Sequence, residues 1–221
     1  MSDEKPTLEQ VREQLYSAVI SDALDGLGFR NQCIATVPQL VPMTGIPKLA
    51  GPCRTTLWED IDFEDPEPYK LELEAVDDCK ENEIIISAAA GSTRSGIWGE
   101  LLSTASRNRG CAGVIIDGAV RDVAPMREMK FPVFANGVSP YDSLHRQRVI
   151  SRDEEVEVGG VSITSGDFVF ADEDGIVVIP KEVETEALIA AWKKVSAENE
   201  VRDAIRDGLG AADAFNKYGV L

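Results

Sequence analysis

In the N-terminal segment, apolar residues recur at three- and four-residue steps: Leu8, Val11, Leu15, Val19, Ala23 and Leu27. That spacing predicts one amphipathic helix, entered at Thr7 as N-cap and stopped at Gly28. Short apolar runs at 36–41 and 46–57, punctuated by Pro and Gly, then read as strands or loops at a sheet edge. The stretch 59–68, dense in Asp and Glu, reads as a solvated loop. An alternation follows. Residues 84–90 form an apolar run closed by Gly91; a helical spacing then puts Ile97, Leu101 and Ala105 on one face, and 112–116 is apolar and β-branched. A strand, a helix and a strand within about 35 residues make a βαβ unit, whose strands should be parallel and buried. A short helix at 123–129 and a strand at 131–135 extend the pattern. From Val156 the character becomes antiparallel, with turns at Gly159-Gly160 and 172–175. The tail, about 181–221, is helical, with Val183, Ala187, Leu188, Ala191, Trp192 and Val195 aligned and breaks at Gly208 and Gly210. The whole predicts an α/β fold with a mixed sheet.

The length of 221 residues suits one domain over 1–221. With 43% hydrophobic and 28% charged residues, a disordered or fibrous chain is excluded. Charge changes the picture further: 22 Lys and Arg against 39 Asp and Glu leave −17. A surface this acidic repels phosphate backbones and anionic headgroups, so neither nucleic acid nor a membrane is an expected partner. It also opposes an anionic substrate, which would need local positive charge from an arginine or a metal. Cys33, Cys53, Cys79 and Cys111 form no C-x-x-C pair, and with a single histidine, His145, structural zinc is not expected. The N-terminus lacks the basic and apolar parts of a secretory leader and no apolar run reaches membrane-span length, which predicts a cytoplasmic protein with reduced thiols.

The densest chemistry lies in Gly113-Val-Ile-Ile-Asp117-Gly118-Ala119-Val120-Arg121-Asp122. An apolar strand there delivers an Arg-Asp pair at its carboxyl end, where α/β sheets bind ligands. The arginine fork can hold an anion while the carboxylate holds a hard divalent cation; alternatively the pair is a helix cap and surface ion pair. A second candidate is Trp98-Gly99-Glu100-Leu101-Leu102. If a helix starts at Gly99, the amides of Leu101 and Leu102 are free to bind a carboxylate; if it starts near Thr93, they are bonded internally.

Gly99-Glu100-Leu101-Leu102, Arg109-Gly110-Cys111-Ala112-Gly113, the 116–122 segment and Phe131-Pro132-Val133-Phe134-Ala135 together resemble the RraA-like family, which includes the 4-hydroxy-4-methyl-2-oxoglutarate aldolases. Ser21 to Asp25, Gly166-Asp167, 172–180 and the ending Lys217 to Leu221 extend the resemblance over nearly the whole chain. It implies an α/β/β/α layered subunit of the swivelling-domain type, assembled as a homotrimer or homohexamer with sites between subunits. It further implies a class II pyruvate aldolase using Mg²⁺ or Mn²⁺ to cleave a 4-hydroxy-2-oxo acid into pyruvate and an oxo compound, with oxaloacetate decarboxylation beside it. Carried over by residue, Asp122 is the metal ligand, Arg121 the substrate anchor, Glu100 the holder of a metal-bound water, and Gly99, Leu101 and Leu102 the substrate-binding backbone. The family commonly has Asp where this chain has Glu100. A glutamate from a neighbouring subunit's tail helix corresponds best to Glu198, with Glu200 second. Lys130 is the only lysine between Gly91 and Lys181, so the matched core offers no Schiff-base nitrogen. The family's namesake regulators, which bind and inhibit a ribonuclease, supply the alternative reading; the resemblance places the long tail with the aldolases.

Overall fold

The computed structural model describes residues 4–219; Val220 and Leu221 of the C-terminal motif, and the first three residues, lie outside them. Thr7 caps α1 (Leu8–Gln14) through a reciprocal capping box with Gln10. The single expected helix is in fact two. Leu15 and Tyr16 are extended, and α2 (Ser17–Gly26) starts afresh. Its first residue bonds a remote carboxylate: Asp172 accepts from the Ser17 amide at 2.8 Å and hydroxyl at 2.6 Å. A cap supplied from 155 residues away is invisible to local periodicity. Gly28, at φ 90°, ends the pair as expected.

After β1 (Val41–Pro42), β2 (Leu49–Asp60) corrects the edge assignment, because it pairs with three strands. The acidic stretch is irregular beyond Asp60 and leads into α3 (Lys70–Asp77). Next, β3 (Ile84–Trp98) runs through the region expected to be helical, and α4 (Glu100–Asn108) begins at Gly99. The three- to four-residue apolar spacing there comes from a strand end, with Ile97 and Trp98 both buried, joined to a helix. Then come β4 (Gly113–Val120), α5 (Val123–Glu128) and β5 (Val133–Val138). The strand β6 (Gln147–Arg152) was not expected. The β7 (Val156–Val158) and β8 (Val161–Ile163) hairpin turns at Gly159-Gly160, both at positive φ. Strands β9 (Phe168–Ala171) and β10 (Ile176–Ile179) pair antiparallel, and α6 (Glu184–Arg206) and α7 (Ala211–Tyr218) form the tail.

The main sheet has the order β1-β5-β4-β3-β2-β9-β10, with β6 also on β2. β2, β3, β4 and β5 are mutually parallel and the remaining pairings antiparallel, which is the mixed sheet expected. Alternation sets the layers. Ile85, Val114 and Ile116 pack with Val76, Met126 and Phe131 on the side of α3 and α5, whereas Ile84, Ile86 and Ile115 pack against Val169, Val178 and the β7–β8 hairpin. Phe168, Phe170, Val177 and Ile179, on the opposite faces of β9 and β10, meet α1, α2 and α6. Helices, sheet, sheet and helices follow one another, so the α/β/β/α layering holds. Among the described residues no helix is long and apolar enough to cross a membrane.

Candidate active site

The β3–β4 ladder is regular from Ile84↔Gly113 to Ala88↔Asp117, then slips three times before Trp98 meets Val120. Extra residues on β3, with Ala90 and Gly91 at positive φ, take up the slack. Both strands therefore finish together, and Gly99 and Asp122 follow them side by side. The Arg121 amide bonds the Trp98 carbonyl at 2.8 Å, tying the two ends.

Asp122 is left-handed (φ 55°, ψ 37°) and precedes α5 without capping it by its side chain. Its carboxylate turns instead to α4, with Oδ2 accepting from the Glu100 amide at 3.3 Å. A Cβ on Gly99 would lie 2.6 Å from that oxygen, so glycine is required for the approach. The first bond of α4 runs from the Ser103 amide to the Gly99 carbonyl, which leaves the Leu101 and Leu102 amides without helical acceptors. Of the two possible helix starts, the one that frees these amides is found.

Arg121 binds Asp142 at 2.8 Å through one terminal nitrogen and approaches Asp122 at 3.9 Å through Nε. Asp142 is held by the Tyr69 hydroxyl at 2.7 Å and the Leu144 amide at 2.8 Å. Burial raises the Asp142 carboxyl, but the Leu144 amide, Tyr69 hydroxyl and Arg121 outweigh it, so its pKa falls below the ordinary value. The Tyr69 phenol is pushed up to about 12 by burial and by Asp142. Glu72 of α3 is only 8% exposed. Burial first, then the Asp142 charge, raises its carboxyl to about 8 against the opposing pull of Arg121.

These groups line one cleft of about 210 Å³, which also takes in Gly99, Leu101 and Leu102. Five of the residues expected from sequence, Gly99, Leu101, Leu102, Arg121 and Asp122, thus line it. Glu100 does not, although its amide bonds Asp122; its carboxylate accepts from the Thr104 hydroxyl at 2.7 Å. Glu198 is not among them. It lies on α6, accepts from the Tyr16 hydroxyl and pairs with Arg202 at 3.8 Å, so within one chain it belongs to the other helical layer. Glu200 is exposed on the same helix. His145 accepts the Asp65 amide at 3.2 Å, a loop-holding bond.

Sequence reading missed Tyr69, Glu72 and Asp142. A signal existed for Glu72, which stands on the buried stripe of α3 with Ala75 and Val76, at the three- and four-residue steps normally kept for apolar side chains. The side-chain partners of Asp142, Tyr69 and Arg121, come from elsewhere in the chain and gave no local sign.

The donor set can be tested against a divalent metal. Among the described residues no three His, Cys, Asp or Glu converge as a closed metal cage. Asp122 offers one half-exposed carboxylate in a cradle that a Gly99 side chain would fill. One carboxylate with open positions for water and substrate fits Mg²⁺ or Mn²⁺, hard ions that keep several waters.

The chain is similar to several known proteins. A family model described as "RraA-like: Aldolase/RraA" matches residues 17–178. A Halalkalibacterium halodurans protein named "Putative 4-hydroxy-4-methyl-2-oxoglutarate aldolase" is 31% identical over 197 residues, covering 89% of this chain and 87% of its own. Protein DlpA of Legionella pneumophila is 29% identical over 224 residues; the match takes in 98% of this chain but spans only 34% of that relative's length. Among solved structures, Streptomyces coelicolor RraAS2, described as an unusual member of the RNase ES inhibitor RraA protein family, superposes with a TM-score of 0.74 at 28% identity, covering 90% of this chain and 98% of its own.

Proposed function

The chain belongs to the RraA-like family, and from that premise we propose that it is a lyase: a class II pyruvate aldolase that cleaves a 4-hydroxy-2-oxo acid, with oxaloacetate decarboxylation as a second activity. The observation that carries the reading is the convergence of Asp122, Arg121 and the free amides of Leu101 and Leu102 on one cleft. Asp122 would hold Mg²⁺ or Mn²⁺, which when bound supplies Lewis-acid stabilisation of the charge developing on the substrate's 2-oxo oxygen. Arg121 and the two amides orient the pyruvyl carboxylate, and they offset a net charge of −17 that would otherwise repel it. In cleavage the C4 hydroxyl loses its proton, the C3–C4 electron pair passes into the pyruvate enolate, and C3 regains a proton. Glu100, whose amide bonds Asp122, orients water for these transfers. The Arg121–Asp142–Tyr69 chain fixes the guanidinium so that it is presented in one orientation.

In this reading the enzyme is a cytoplasmic homotrimer or homohexamer, and Glu198 reaches the site of a neighbouring subunit. The likeness to RraAS2 supports a second reading, a regulator that binds a ribonuclease without catalysis. One experiment separates them: a panel of 4-hydroxy-2-oxo acids and oxaloacetate, incubated with protein and Mg²⁺, with pyruvate measured. Pyruvate release dependent on protein supports the aldolase, and none across the panel favours the regulator.

A further inference from the structure

The four free cysteines differ in their surroundings. Cys33 is exposed, with the Ser21 hydroxyl as its neighbour, and Cys53 packs in the core layer that contains the β7–β8 hairpin, its thiol donating to the Thr164 carbonyl at 3.6 Å. Cys79 and Cys111 share the other layer, on the side of α3 and α5. Neither lines the cleft, and the cleavage chemistry uses neither.

The segments that follow α3 and α4 run side by side. Asp77 pairs with Arg109 at 3.0 Å, the Asn82 amide donates to the Gly110 carbonyl at 2.8 Å, and the Ala112 amide donates to the Glu83 carbonyl at 2.8 Å. A Cβ on Gly110 would lie 3.0 Å from the Glu81 Cα, so the two backbones are in close contact. Inside this bracket the Cys79 and Cys111 thiols hydrogen-bond to each other, and the Cys111 thiol donates onward to the Gly113 carbonyl at 3.3 Å. The pair is not sealed in. Each residue keeps 6% of its surface exposed, and the side chains of the neighbouring ion pair are open to solvent, Asp77 by 65% and Arg109 by 52%. The bond between the thiols also makes them unequal. Donation from Cys79 stabilises charge on Cys111, so the Cys111 thiol ionises below its ordinary value against the opposing effect of burial, while the same bond and burial push the Cys79 thiol up. A thiolate is the form that attacks a peroxide, and a second thiol in contact can resolve the product.

We infer that Cys79 and Cys111 are a reversible oxidation site that closes to a disulfide on reaction with a hydroperoxide, Cys111 attacking and Cys79 resolving. The Cys111 thiolate attacks one peroxide oxygen; the O–O bond breaks, hydroxide leaves and takes up a proton, and Cys111 carries a sulfenic acid. The Cys79 sulfur, giving up its proton, then attacks the Cys111 sulfur; the S–O bond breaks and the oxygen departs as water. The two thiols lose two electrons and one hydrogen peroxide becomes two waters. The bridge closes a loop over residues 79–111 that contains β3 and α4, and it forms next to the first residue of β4, whereas Arg121 and Asp122 follow the last. The inference therefore stands independently of the aldolase reading.

Hydrogen peroxide in modest molar excess tests this on the full chain carrying Cys33→Ser, which removes the exposed thiol. The folded protein is oxidised, unfolded in N-ethylmaleimide and mapped by mass spectrometry without reductant. The expected product is a single chain lighter by two hydrogens before alkylation, with maleimide on Cys53 alone and one linked peptide joining Cys79 to Cys111; dithiothreitol should return all three thiols. In the same background Cys79→Ser should stop at a Cys111 sulfenic acid that dimedone traps, and Cys111→Ser should leave Cys79 reduced. The map of the Cys33→Ser chain decides the pairing by itself, even where one of the further variants does not fold. Retention of all three thiols, a linkage that includes Cys53 or joins two chains, an unlinked sulfinic acid on Cys111, or dimedone on Cys79 in Cys111→Ser would overturn the inference.

Discussion

Glu72→Gln is the perturbation whose consequence follows most directly from the structure. Folding moves the Glu72 carboxyl from an ordinary 4.5 to about 8 through burial and the neighbouring Asp142 charge, with Arg121 pulling the other way. The folded state therefore holds this proton over a range in which the unfolded chain has released it. A carboxyl raised in the folded state contributes stability that is complete below the unfolded value and is lost as pH climbs through the folded one. With about 1.4 kcal/mol for each tenfold change in proton affinity, the loss is about 1 kcal/mol at pH 5 and about 4 kcal/mol at pH 8. Glutamine has no proton to lose. Whatever fixed cost or gain the amide brings, the stability of the variant relative to the parent should rise by about 3 kcal/mol between pH 5 and pH 8. Urea unfolding of both proteins at several pH values in that interval, free of metal and substrate, measures it. The comparison cancels every other titrating group, including Tyr69, Asp142 and the more distant Asp65, provided the substitution leaves them in place. Parallel stability curves for the two proteins would refute the reasoning, since they would mean that Glu72 ionises as freely in the fold as in the open chain.

Gly99→Ala places a Cβ where the Asp122 Oδ2 now sits, at 2.6 Å, and should weaken Mg²⁺ binding by at least about tenfold in calorimetry while the protein stays folded by circular dichroism. Arg121→Lys keeps the charge and loses the fork that reaches both Asp142 and a bound carboxylate, so kcat/KM for pyruvate release should fall by about tenfold or more; wild-type kcat/KM would make Arg121 a surface ion-pair residue. Mixing Asp122→Ala and Glu198→Ala chains, each inactive alone, should restore part of the activity if the tail glutamate serves a neighbouring subunit. No recovery despite demonstrated subunit exchange would tie Glu198 to Tyr16 in its own chain and make Glu200 the next residue to test.

What the sequence made legible follows the range of the interactions involved. The parallel strands Gly113–Val120 and Val133–Val138 and the tail helix are written in contiguous apolar patterns, and the structure has them. So does the pairing of Arg121 with Asp122 at a strand end, since neighbours in sequence stay neighbours in space. The break at Leu15-Tyr16 was not legible, because Asp172 and Glu198 bond Ser17 and Tyr16 from far along the chain. The extension of β3 through Trp98 was misread because its buried end, Ile97, falls in step with Leu101 and Ala105 of the helix that follows. The lining of the cleft shows both cases at once. Glu72 announced itself as a charged residue on an apolar helix face, whereas Asp142 is tied to the cleft only through Tyr69 and Arg121, which the fold brings to it.

The central claim is that Asp122 holds the metal on which cleavage of an oxo acid depends. The most direct measurement is pyruvate release from a 4-hydroxy-2-oxo acid by the parent protein and by Asp122→Ala, each with Mg²⁺ and each with excess chelator. The account predicts turnover by the parent in Mg²⁺ alone, with the chelated parent and both Asp122→Ala samples inactive although the variant is folded. Full pyruvate release by the parent in excess chelator, or by Asp122→Ala in Mg²⁺, would contradict it.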